Sequence, residues 1–296
     1  MERKEWEVVH MADKKEVRRL QDLALEMRKK LLNLCGTYEG VVHIGGDLSM
    51  TDLLIGLWHH GMNVDPKNIK MPTRDRFILS KGHGAVCMYI AMCLRGFFDY
   101  DEIVRTYGKL DSAYGMHVCK VYLPGAECSS GSLGQGLAVA VGMAFSARQK
   151  GQKNRVFCMM GDGETCEGEI WEAANTAASY KLGNLIGIVD KNNQLMSSMA
   201  GEAMSFEHYS ERWAAFGWNV VDIDGHNMTQ IVDALDKLPP VTNNKPTVIV
   251  ANTIKGKGVE FMEKIVGWHA GSLSKDDMEK AMVQVQAAWD KEKVAL

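Results

Sequence analysis

The sequence predicts an α/β fold, a mostly parallel sheet with helices on both faces. Two apolar runs, RVFCMM (Arg155 to Met160) and LIGIVD (Leu185 to Asp190), have the unbroken hydrophobicity of strands buried on both sides, and a helix-length segment separates them. The alternation then continues through a helical stretch at Phe206 to Phe216, strand NVVDID (219–224), a helical stretch at Met228 to Leu238 and strand TVIVANT (247–253).

Ahead of these units, Asp13 can cap a helix running to about Leu34, with Val17, Leu20, Leu23, Met27 and Leu31 on its apolar face. A Gly-rich turn is expected at Gly40 to Gly46, and helices at Ser49 to His60 and Ala85 to Leu94, the second preceded by strand RFILS (76–80). A further helix is expected to start near Ser132, and a closing amphipathic helix covers Ser274 to about Ala288. With no repeat, low-complexity tract or Pro-rich linker, the 296 residues read as a single domain, 1–296.

Bulk properties narrow the function. A net charge of −3 gives no electrostatic reason to expect nucleic acid or an anionic membrane as partner. The charged start MERKEWEVVHMADKKEVRR has no apolar core of signal-peptide length, and no run of about eighteen apolar residues occurs, so a cytoplasmic location is expected. Seven cysteines without a CxxC pair are expected to be buried free thiols of a reducing compartment.

The segment Gly161 to Gln194 is the most informative. In a βαβ unit ligands bind outside the carboxyl ends of the strands; Asp162 follows the first strand and Asn192 the second, so both side chains can meet. Asp162 would supply charge, Asn192 a neutral oxygen and the Gln194 main-chain carbonyl a third ligand, a hard-oxygen set suited to Mg²⁺ or Ca²⁺ bridging a diphosphate. Gly161 and Gly163 would let a phosphate oxygen approach the main chain. The competing reading makes Asp162 a turn former and Asn192 a loop residue. His43, His83, His117 and His269 all fall in Gly-rich loops, which suggests one shared pocket. None has metal-site spacing, and neither GxGxxG nor GxxxxGK[ST] occurs.

Taken in order, VVHIGGDLSMTDLL, RDRFILSKGHGA, LPGAECSSGSLGQGLAVAVGMA, the GDG segment and IKGKGVEFMEKIVGWHAGSL resemble the amino-terminal part of transketolase, over nearly the whole chain. The resemblance implies the diphosphate domain of the thiamine diphosphate-binding fold, with Asp162, Asn192 and the Gln194 carbonyl on the metal. It places Gly161, Gly163, His83 and His269 at the cofactor's diphosphate and Gly131 and Leu133 beside the cofactor. His43 and His117 would face the reacting carbons and sugar hydroxyls, His269 would join them in moving protons, and Glu167 would lie at a subunit interface.

Two motifs depart from the family. The usual SGHPG reads VVHIGG and the usual GHPE reads MHVCK, both on the substrate side, so a sulfonated or branched-chain sugar stands beside a sugar phosphate as substrate. The family's pyrimidine-binding and carboxyl-terminal domains are expected on a second subunit, in a heterotetramer of two copies of each. The expected activity is transfer of a two-carbon ketol unit from a ketose to an aldose, by this chain only with that partner. A 2-oxo acid dehydrogenase subunit, a deoxyxylulose phosphate synthase and a non-catalytic subunit of the same fold are the alternatives.

Overall fold

The structure, a computed structural model, describes residues 12–199, 202 and 204–295; the leading residues read above for a targeting signal lie largely outside that range. Five strands, β1 (Arg76–Leu79), β2 (Val156–Gly161), β3 (Leu185–Lys191), β4 (Asn219–Asp224) and β5 (Thr247–Asn252), form one sheet in the order β1-β2-β3-β5-β4. Every pairing is parallel, as the apolar runs predict. All five carboxyl ends therefore open on one edge, and the register sets Gly161 of β2 against Asp190 of β3.

Helices cover both faces. Along β2 the side chains alternate: Phe157 and Met159 enter one core, Val156, Cys158 and Met160 the other. The first core is closed by α1 (Lys14–Thr37), α2 (Ile44–Gly56), α3 (Ala85–Leu94), α8 (Met228–Asp236) and α9 (Lys275–Glu292). The second is closed by α5 (Gln135–Gln149), α6 (Gly168–Ser179) and α7 (Tyr209–Ala215). Asp13 caps α1 by accepting from the Lys15 amide, and Ser274 caps α9 through the Asp277 amide.

Several sequence expectations need correction. A short helix, α4 (Tyr100–Thr106), capped by Asp99, was not expected. The segment read as a Gly-rich turn is instead the first turn of α2, which starts directly after His43 and continues as a π-helical turn through Gly61. Gly45 serves packing rather than turning: a Cβ there would lie 2.2 Å from the Trp268 carbonyl oxygen. Helix α5 starts at Gln135, because Gly134 takes the left-handed conformation at φ 88°. The cysteines are all free, but Cys166, on a 3-10 turn, is exposed rather than buried. No helix among the described residues is long and apolar enough to cross a membrane.

Away from the strand ends, a polar knot joins four segments. Arg28 of α1 grips Asp52 of α2 with two hydrogen bonds of 2.8 and 2.5 Å, and His226 Nδ1 lies 2.8 Å from the same carboxylate. The Ile254 amide donates to His226 Nε2, which leaves Nδ1 as the protonated nitrogen that donates to Asp52. Burial pushes the Asp52 carboxyl up, but the Arg28 charge outweighs it and holds the group well below the usual range. Arg28→Met strands this carboxylate with His226 alone, and chemical denaturation should show a loss of roughly 3–5 kcal/mol; a loss under about 1 kcal/mol would show that the pair adds nothing to stability.

Candidate active site

The loops after β1, β2, β3 and β5 and the start of α2 enclose a cleft of about 300 Å³. His43, His83, His117, Gly131, Leu133, Gly161, Asp162, Gly163, Asn192, Gln194 and His269, singled out from widely separated loops, all line it. Glu167 does not; it sits exposed just before α6.

The histidines form one cluster. His43 is the residue that opens α2, and its ring centroid lies 5.4 Å from that of His83, 6.0 Å from His117 and 5.5 Å from His269. Burial, reinforced by neighbouring cations, lowers the basicity of three of them. His43 and His83 are both shifted down, and His269 is brought to about 4, with Lys255 as its second cause. Lys255 Nζ stands 2.9 Å from His269 Nδ1. An ammonium only donates, so His269 Nδ1 accepts and its proton resides on Nε2. His43 Nδ1 is buried without a hydrogen-bond partner among the described residues.

Facing the histidines are the two acidic strand ends. Asp162 is buried, accepting from the Gly163 amide at 2.8 Å and the Asn193 amide at 2.5 Å. Burial, and then the charge of Asp190, push Asp162 up to about 6. Asn192 Oδ1 accepts from the Gln194 amide at 3.0 Å. Among the described residues no three His, Cys, Asp or Glu side chains gather as a metal set. The oxygen set here is of another kind: one carboxylate, one amide oxygen and a main-chain carbonyl.

Four charged residues escaped the sequence reading. Lys81, 1% exposed, donates to Asp190 Oδ2 at 2.5 Å, and Ser49 donates to the same oxygen, also at 2.5 Å. Thr253 donates to the other carboxylate oxygen. Burial opposes both charges, yet each holds its partner ionised, with Lys81 shifted up and Asp190 down. Glu164 joins three loops: Ser80 and the Gly134 amide donate to its Oε1 at 2.5 and 2.9 Å, the Gly161 amide to its Oε2 at 3.0 Å. Lys255, brought down to about 8 by burial and by Lys81, also reaches the Leu195 carbonyl at 3.3 Å. The signals were present as Lys81 inside SKGHGA, Glu164 inside GDGETCEG, Asp190 closing LIGIVD and Lys255 inside IKGKG.

The cleft suits a metal-bound diphosphate. Two buried lysines, Lys81 and Lys255, flank the oxygen set, and a Cβ on Gly161 would meet no protein atom within 4 Å. The buried, unpartnered polar atoms of His43 and Gln194 call for a polar occupant.

Known proteins share this arrangement. A family model described as transketolase, thiamine diphosphate binding domain, matches residues 36–295. One of the two subunits of the apulose-4-phosphate transketolase of Actinobacillus succinogenes is 38% identical over 90% of this chain and 96% of its own length. The 6-deoxy-6-sulfo-D-fructose transketolase subunit SqwG of a Clostridium species is 37% identical, with the same coverage of each chain. Among solved structures, transketolase from Campylobacter jejuni superposes with a TM-score of 0.81 at 26% identity, over 95% of this chain and 46% of that one.

Neutral imidazoles in the cleft make folding proton-sensitive. The folded-state affinity of His269 for a proton is depressed, so between about pH 6.5 and 4 the unfolded chain takes up protons first and stability falls as pH is lowered. Asp47, buried and pushed up to about 8, acts with the opposite sign, so the difference between variants isolates the histidine. Urea midpoints measured from pH 7 to 4 should fall less steeply for His269→Gln than for the wild type; parallel curves would contradict the assignment.

Proposed function

This chain belongs to the transketolase family through its thiamine diphosphate-binding domain, and we propose that it is the amino-terminal subunit of a split transketolase, transferring a two-carbon ketol unit from a ketose to an aldose. The observation that carries this reading is the convergence of four loop histidines and the Asp162/Asn192 pair on one cleft at the carboxyl edge of the sheet. We take residues 1–296 as one diphosphate-binding domain. A second subunit would supply the pyrimidine-binding and carboxyl-terminal domains, two copies of each chain making a heterotetramer, in the cytoplasm. Exposed Glu167 is assigned to the subunit boundary.

When bound, thiamine diphosphate supplies the carbon nucleophile and the electron sink that carbon–carbon cleavage needs. This chain's residues would hold it. Asp162, Asn192 and the Gln194 carbonyl offer oxygens to Mg²⁺ or Ca²⁺, with Gly161 and Gly163 letting the diphosphate approach. Lys255 and Lys81 supply positive charge against the anion, and His83 and His269 would donate to it. Gly131 and Leu133 form the wall beside the cofactor. On the substrate side, His43 and His117 would orient sugar hydroxyls. His43, His117 and His269 would pass protons to and from sugar oxygens, a task suited to imidazoles kept neutral. The relatives' names cite a sugar phosphate and a sulfo sugar; we assign this chain a ketose donor with an anionic terminal group of one of these two kinds.

The test is ketol transfer with thiamine diphosphate and Mg²⁺, by the chain alone and mixed with its partner subunit, on a panel including xylulose 5-phosphate with ribose 5-phosphate and a sulfonated ketose. Activity is expected only in the mixture; a mixture that retains no thiamine diphosphate overturns the reading. Asp162→Ala should weaken metal-dependent cofactor retention by at least about tenfold, the loss of one charged ligand. Unchanged retention would remove Asp162 from the ligand set.

A further inference from the structure

The family assignment gives the Gln194 position a main-chain role, and leaves its side chain unexplained. Gln194 is 4% exposed and lines the cleft, yet neither Oε1 nor Nε2 has a hydrogen-bond partner among the described residues. A carboxamide offers two donors and an acceptor, and leaving it buried and unpaired is costly. An apolar side chain of the same length would fill the space without that cost.

The surroundings fix what such a group meets. Its own amide donates to Asn192 Oδ1, the Asn193 amide donates to Asp162, and Lys255 holds the Leu195 carbonyl. The Gln194 side chain therefore emerges between residues tied to the oxygen set on one side and to a cleft cation on the other. From these contacts, and resting on the cofactor reading above, we propose that the Gln194 carboxamide is a direct hydrogen-bonding contact of the metal-bound cofactor. Oε1 can accept from a metal-bound water or a donor on the cofactor, and Nε2 can donate to an oxyanion. The position thus discriminates between ligands through its side chain, separately from the main-chain carbonyl beside it.

The test uses Gln194→Met, with Gln194→Leu as a second variant should the first misfold; both keep the main-chain carbonyl. Binding of thiamine diphosphate with Mg²⁺, inorganic pyrophosphate with Mg²⁺, and ribose 5-phosphate is titrated calorimetrically on the full chain, alone and with its partner subunit. The melting temperature of the ligand-free chain is recorded in parallel. The expected result is paired: affinity for thiamine diphosphate falls about tenfold, as for one hydrogen bond, and the ligand-free chain melts higher because a buried unpaired amide is gone. A parallel loss for pyrophosphate locates the contact at the diphosphate. A loss for thiamine diphosphate alone locates it on the rings; both support the proposal. Thiamine diphosphate affinity unchanged within about twofold, a loss confined to ribose 5-phosphate, or a lower melting temperature overturns it. Wild type that binds no thiamine diphosphate in either sample overturns the family-based reading as well, which separates the two failures.

Discussion

Everything at the carboxyl edge of the sheet hangs on the buried ion pair between Lys81 and Asp190. Lys81 arrives from the loop after β1 and Asp190 from the end of β3, with β2 between them in the sheet. Ser49 of α2 and Thr253 after β5 add their hydroxyls to the same carboxylate, and Lys81 also reaches the Gly46 carbonyl at 3.4 Å. One carboxylate thus fixes three strand-end loops and a helix against one another. Such a pair must offset the cost of removing two ions from water, which the surrounding hydrogen bonds help to do, and loss of either partner would strand a charge in the interior. Its reward is positional, since the residues it braces are the ones that face the cleft.

The charge pattern above this brace follows from it. Asp190 is already satisfied by Lys81, so its field falls on Asp162 as repulsion, and Asp162 becomes an acid held above its ordinary range. A divalent cation would relieve that repulsion. On the opposite wall Lys255 acts in the reverse sense, keeping His269 neutral while its own ammonium is weakened by burial and by Lys81. The cleft is therefore divided into a side suited to a cation and a side of neutral proton carriers, and the brace lies beneath the boundary.

Much of this was legible in the sequence. Unbroken apolar runs separated by helix-length segments require buried parallel strands, so the sheet was readable from β2 and β3 alone. Histidines and glycines in loops were readable as a pocket because neither residue type is needed there for packing. Lys81, Glu164, Asp190 and Lys255 were not, because charged side chains usually stay in water and only tertiary contacts show that these do not. Helix α2 was misread for a related reason: Gly45 and Gly46 favour turns as isolated residues, and only the nearby Trp268 carbonyl explains glycine inside a helix. The Arg28–Asp52–His226 knot was equally hidden, its members coming from three distant segments.

That contact between Gly45 and the Trp268 carbonyl has a mechanical corollary. His43 and His269 each sit next in sequence to one of these two residues or a single position away, and Val42 and Gly271 are joined by a reciprocal pair of main-chain hydrogen bonds. The two imidazoles are thus carried by a single welded corner of the molecule. Any breathing of the entrance must then come from the opposite rim, where His117 sits exposed on a long irregular loop, so that this histidine approaches or leaves two fixed companions as sugars enter and depart.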